Sequence, residues 1–133
     1  MTPVFLDTVG LLAVWDMDDQ WHNAAYNAYR QIVSTRQSVV TTTFILLECG
    51  NAAASRTYRE DVCILRRTLE LRNEVIVPTD DDWANAWDAY QQGQVGKAGI
   101  VDYVSFAVMR RLDIQRVFSN DRHFKEAGFE ILF

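Results

Sequence analysis

Proline is scarce in this chain, with Pro3 and Pro78 the only two in 133 residues, and glycine contributes six. No Pro/Gly-rich linker, repeat or low-complexity tract divides it, so residues 1–133 read as a single domain. Cysteine is equally rare. Cys49 and Cys63 lack C-x-x-C spacing, which speaks against a zinc site or a disulfide framework. Both fall in helical apolar patterns and are expected as small buried hydrophobes. Long apolar runs are missing too. None approaches the ~18 residues of a membrane span, and the N-terminal run is broken at Asp7 with no Lys or Arg ahead of it, unlike a signal peptide. A cytoplasmic protein with no membrane partner is expected. Basic residues are outnumbered, 13 Lys and Arg against 18 Asp and Glu, for a net charge of −5. That excludes a surface that wraps nucleic acid on all sides and leaves room for a local basic path. The two histidines, His22 and His123, accompany no Ser or Cys nucleophile motif and are expected on the surface or on a helix face.

What is present is a chain 49% hydrophobic, enough for a sizeable core, in which strand-like and helix-like stretches alternate. The patterns predict a strand at Val4 to Asp7, helices from Thr8 to about Ala13 and from Asp18 to about Arg36, and a β-branched strand "SVVTT" at 38–42. Helices follow from Thr43 to about Arg56 and from Arg59 to about Arg72, then "EVIVP" as a strand. Thr79 with Asp82 has the spacing of a capping box and opens the next helix, which carries Trp83, Trp87 and Tyr90. A helix from about Val101 to Leu112, the strand "RVFS", a helical turn at His123 to Ala127 and the strand "FEILF" close the chain. Strands separated by helices imply a mostly parallel sheet covered on both faces. The stripes Trp21, Ala25, Tyr29 and Trp83, Trp87, Tyr90 are expected in the core, with a dimer face or a groove for a partner helix as the alternative. "WDMDDQW" lacks the glycine and terminal Glu of a calcium loop and reads as a turn with Asp18 or Asp19 as a cap. "GQVGKAG" matches no phosphate-binding loop and reads as a flexible turn.

Open parallel sheets place their chemistry beyond the carboxyl ends of the strands. Asp7 ends the first predicted strand there, where it serves either as a helix cap or as a held carboxylate. Three further acids occupy similarly costly places. Glu48 interrupts the apolar run "FILLECGNAAA", Asp102 sits in "IVDYVSFAVM", and Asp121 follows "RVFSN". Capping or dipole roles explain each one singly. One shared pocket explains all four.

The order "FLDT", "TTTFILLECGNA", "GIVDYVSFAVM", "VFSNDRHFKEAGFEIL" resembles a PIN domain over nearly the whole chain. That is the small metal-dependent ribonuclease fold found in the VapC toxins of bacterial VapBC systems. The resemblance implies a three-layer α/β/α fold with a central, mostly parallel sheet of four to five strands. It implies hydrolysis of RNA phosphodiester bonds, and it carries the family's acidic positions onto Asp7, Glu48, Asp102 and Asp121. It also implies Mg²⁺ or Mn²⁺ as cofactor, a homodimer, and an antitoxin chain as partner. A catalytically silent PIN-like module that binds RNA or protein is the alternative.

Carboxylate oxygens suit hard cations, and magnesium uses one or two of them while keeping waters. Asp7 and Asp102 are therefore expected on the ion, with Glu48 and Asp121 on a second ion or orienting water. Thr8 and Ser119 adjoin site acids, while Asn51 and Ser105 lie three residues beyond Glu48 and Asp102; all four are candidates to hold a carboxylate or a water. Lys97, Arg122 and Lys125, beside the loops that carry the acids, are the candidates for RNA contact. Two other classes that begin with a strand ending in Asp are disfavoured. A haloacid-dehalogenase phosphatase needs a second Asp where Val9 stands, and a receiver domain needs paired acids and a late lysine.

Overall fold

A computed structural model describes residues 2–133. β1 (Val4–Leu6) is three apolar residues with no exposed surface, which marks a central strand. The chain then runs α1 (Thr8–Trp15), α2 (His22–Ser34), β2 (Val39–Thr42), α3 (Thr43–Ala53), α4 (Arg59–Leu71), β3 (Val75–Ile76), α5 (Asp80–Gln91), α6 (Ile100–Arg111), β4 (Arg116–Phe118), α7 (Arg122–Glu126) and β5 (Glu130–Ile131). All strands pair in parallel in the order β3-β2-β1-β4-β5. The three-layer α/β/α expectation therefore holds, with five strands.

The order carries the placement of the site. The chain steps outward from β1 to β2 to β3, then returns and inserts β4 on the other side of β1. Right-handed crossovers put the helices of the outward steps on one face and those of the return on the other. The packing agrees: α1 lies on α2 and α3, and α3 on α4, while α5 lies on α6 and α6 on α7. The reversal between β1 and β4 is the crevice where such sheets hold ligands.

The core is filled by Phe5, Leu6, Leu11, Ile45, Phe106, Met109, Phe118 and Phe124, all fully buried or nearly so. α1 comes close enough to β4 that a side chain at Gly10 would collide. A Cβ there would sit 2.2 Å from the Phe118 carbonyl oxygen, so only glycine fits.

Several expectations need correction. Trp21, Trp83, Trp87 and Tyr90 are roughly half exposed. The buried stripe of α5 is Asp82 and Ala86, small enough for close approach to α6, and this turns the aromatics of the neighbouring stripe outward. Cys63 is exposed because it lies one position off the Val62 and Leu69 stripe of α4, whereas Cys49 is buried as expected. α2 starts at His22 and has no side-chain cap. Asp19 instead accepts the Trp21 N–H at 2.7 Å and closes the preceding turn. No helix among the described residues is long and apolar enough to cross a membrane.

Candidate metal centre

Asp7 follows β1 directly and caps α1 by accepting the Val9 N–H at 3.2 Å. Only 2% of it is exposed. Because Leu6 pairs with Phe118 in the β1–β4 register, the next residue on each strand emerges beside the other. The next residue on β4 is Ser119, whose buried Oγ donates to Asp7 Oδ2 at 2.8 Å. Ser119 Oγ in turn accepts the Asp121 N–H at 3.0 Å.

Asp121 caps α7 through the His123 N–H at 2.9 Å. The His123 ring returns to the same carboxylate, with Nδ1 3.2 Å from Asp121 Oδ1, and lies 3.6 Å from Asp102 Oδ2 in the first turn of α6. Neither approach makes a hydrogen bond, the second being too long, so Nδ1 is buried without a partner. On the other flank, Thr8 Oγ1 donates to Glu48 Oε1 at 2.6 Å. A connected run therefore joins three of the acids: Glu48 to Thr8, Thr8 by the chain to Asp7, and Asp7 through Ser119 to the Asp121 backbone, while Asp102 faces Asp121 across the His123 ring without a hydrogen bond. Capping and convergence coexist here, since Asp7 and Asp121 are also helix caps.

The electrostatics show crowding of like charge. Burial pushes the Asp7 carboxyl up to about 7, aided by repulsion from Asp102 and Asp121 and opposed by the hydrogen bonds from Ser119 and Val9. Burial likewise raises Asp102 to about 6, with Asp121 and Glu48 adding repulsion and His123 opposing them. The buried Cys49 thiol behind the site is pushed up to about 12 by burial and by the charges of Asp7 and Glu48.

Of the other residues singled out in the sequence, Thr8 and Ser119 hold site carboxylates. Ser105 is buried one turn beyond Asp102, and its Oγ has no partner. Asn51 is exposed on α3. Lys97, in the turn before α6, and Arg122 and Lys125, on α7, are all exposed. His22 behaves as a helix-face histidine, its Nδ1 meeting the Ala13 carbonyl oxygen at 2.9 Å.

His123 lies on a helix, α7, with a third of its side chain exposed, yet its ring also reaches two of the site acids. Its only signal in the sequence is the D-x-H spacing from Asp121, since Asp102 reaches it from a different helix. One donor atom each from Asp102, Asp121 and His123 lies within 4.8 Å of the others. Two features fit a divalent cation at this place. The carboxylates repel one another, and a buried imidazole nitrogen lacks a partner.

Comparison with known proteins bears on the family and the fold. The profile of the PIN domain family matches residues 4–130. The chain is 30% identical over 131 residues, 95% of each chain, to the protein named 23S rRNA-specific endonuclease VapC20 in two strains of Mycobacterium tuberculosis. Its fold superposes on the crystal structure of M. tuberculosis VapC20, described as a sarcin–ricin loop cleaving toxin, with a TM-score of 0.76, 26% identity and 95% coverage of both chains.

Proposed function

Because the chain belongs to the PIN domain family, we propose that it is a Mg²⁺- or Mn²⁺-dependent endoribonuclease, the toxin of a toxin–antitoxin pair. The observation that carries this reading is the gathering of acids at the β1–β4 crevice, with Asp7 and Asp121 bridged by Ser119, Glu48 held by Thr8, and Asp102 facing Asp121 across His123. A silent binding module would have no need to keep four carboxylates in a crevice where they repel.

In this reading Asp7 and Asp102 hold the ion. Both hydrogen bonds to Asp7 fall on Oδ2, which fixes the carboxylate plane and leaves Oδ1 free to face a ligand. Thr8 does the same for Glu48 by engaging Oε1. Glu48 and Asp121 orient the attacking water or hold a second ion. A bound divalent cation supplies charge neutralisation for the phosphoryl oxygens and stabilises the leaving oxygen. The exposed Lys97, Arg122 and Lys125 offset the repulsion between the acidic crevice and the RNA backbone.

The mycobacterial relatives are named for 23S rRNA and for the sarcin–ricin loop, so a stem-loop of ribosomal RNA is the substrate class of first choice. The same reading makes the chain a cytoplasmic homodimer that an antitoxin chain inhibits. The exposed aromatics Trp83, Trp87 and Tyr90 of α5 are the surface offered for these contacts.

The test is a cleavage assay on short RNAs, including a sarcin–ricin stem-loop, with Mg²⁺, Mn²⁺ or chelator. Cleavage that requires the metal and is lost in Asp7→Asn and Asp102→Asn is the expected result. Cleavage that persists in chelator, or in both variants, overturns the proposal.

A further inference from the structure

His123 stands apart from the acids because its chemistry is different. An imidazole nitrogen is a softer donor than a carboxylate oxygen, and it suits Mn²⁺ and its neighbours in the transition series better than Mg²⁺. Its position is also unusual for a histidine that merely pairs with acids. The His123 Nδ1 atom is buried between two carboxylates yet hydrogen-bonds to neither: Asp102 is too far, and the closer Asp121 approach does not form a bond. A buried polar atom left in that state is rare and costs about 1–3 kcal/mol.

The separations match a different partner. Two donors at adjacent corners of an octahedron, with bonds of about 2.1 Å, lie about 3 Å apart. Nδ1 lies 3.2 Å from Asp121 Oδ1 and 3.6 Å from Asp102 Oδ2. The ring is also held in place: the backbone N–H of His123 donates to the carboxylate that its own side chain approaches, so Asp121 and His123 are oriented as a unit at the start of α7.

We propose that His123 is a nitrogen ligand of the metal centre, acting with Asp102 and Asp121, and that it tilts the centre toward Mn²⁺ over Mg²⁺. This rests on the metal-dependent reading above and adds a donor to the four acids. It also predicts a wider preference for Mn²⁺ over Mg²⁺ than the carboxylates alone would give.

The test uses the full-length protein and ion binding, with no RNA. Calorimetric titration with Mn²⁺ and Mg²⁺ is done on wild type, His123→Ala, His123→Asn and Asp102→Asn. Pulsed electron paramagnetic resonance of the Mn²⁺-loaded protein reads nitrogen directly bound to the ion. For wild type, an imidazole ¹⁴N coupling is expected. The histidine variants should lose it, with Mn²⁺ affinity falling about tenfold or more and Mg²⁺ affinity changing far less.

If wild type and His123→Ala bind both ions equally while Asp102→Asn does not, only the histidine proposal falls. Should wild type bind neither ion, the metal-dependent reading falls with it. If the histidine variants do not fold, the wild-type spectrum decides alone: a Mn²⁺ signal without ¹⁴N coupling overturns the proposal.

Discussion

Ser119 Oγ donates to Asp7 Oδ2 at 2.8 Å, joining two residues 112 positions apart across adjacent parallel strands. The same hydroxyl takes the Asp121 N–H, so one small side chain sets the spacing of two site acids. Ser119→Ala is expected to cost about 1–2 kcal/mol and to raise the Asp7 carboxyl further, because the bond it removes favours the charged form. Urea unfolding and a carboxyl titration by ¹³C NMR check both.

Asp7→Asn keeps the shape of the cap. Its amide oxygen, placed where Oδ2 sits, still accepts from Ser119 and Val9. Above pH 7, in chelator, the variant is expected to melt no lower than wild type, since it relieves repulsion from Asp102 and Asp121. It should nonetheless lose RNA cleavage. A clearly lower melting temperature would leave Asp7 as a helix cap only.

The raised carboxyls set a pH dependence of unusual sign. In chelator, folded Asp7 keeps its proton up to about pH 7, whereas an unfolded Asp releases it near pH 4, so the native state binds more protons in between. Stability from this residue therefore falls as pH rises from about 4 to about 7, by a few kcal/mol, and is flat above. Asp102, raised to about 6, adds a smaller fall over the lower part of that window. Urea midpoints at pH 5 and pH 8 should differ in this direction more for wild type than for Asp7→Asn.

Mg²⁺ or Mn²⁺ should reverse that loss. An ion that binds only the folded state at one hundred times its dissociation constant adds about 2.7 kcal/mol. The rise in melting temperature should be larger at pH 8 than at pH 5.5, where protons on Asp7 and Asp102 compete with the metal. Differential scanning calorimetry at the two pH values, with and without metal, measures it.

Phosphate contacts are expected to be local. Arg122→Ala or Lys125→Ala should weaken RNA binding without changing its sequence preference, and each should reduce the slope of log affinity against log salt by up to about 1. Filter binding across a salt series with the inactive Asp7→Asn protein reads the slope.

Much of this architecture was legible in the sequence, and the omissions have physical reasons. The Thr79 and Asp82 capping box is present in both directions, since local spacing alone determines it. Unreadable in the same residue was its second task. Asp82 is buried, and the bidentate Arg111 of α6 holds its carboxyl below the usual range despite that burial. The four acids stood out as candidates because Asp7, Glu48 and Asp102 interrupt apolar runs and Asp121 comes just past a strand end. His123 did not, because its meaning depends on Asp102, which folding brings from another helix. Cys63 and the α5 aromatics were misplaced by one position of helical phase, and only the packed neighbour resolves that.

The strand order has a consequence for the newborn chain. β1 is synthesised before the other four strands but receives its β4 neighbour only after β2, β3 and their helices have been made, along with Ser119, Asp121 and His123. Until then Asp7 lies at an open sheet edge, far from half of its eventual companions. No fragment that stops short of α7 assembles the full crevice, so whatever the assembled acids do begins only after Asp121 and His123 have been synthesised and folded onto β1.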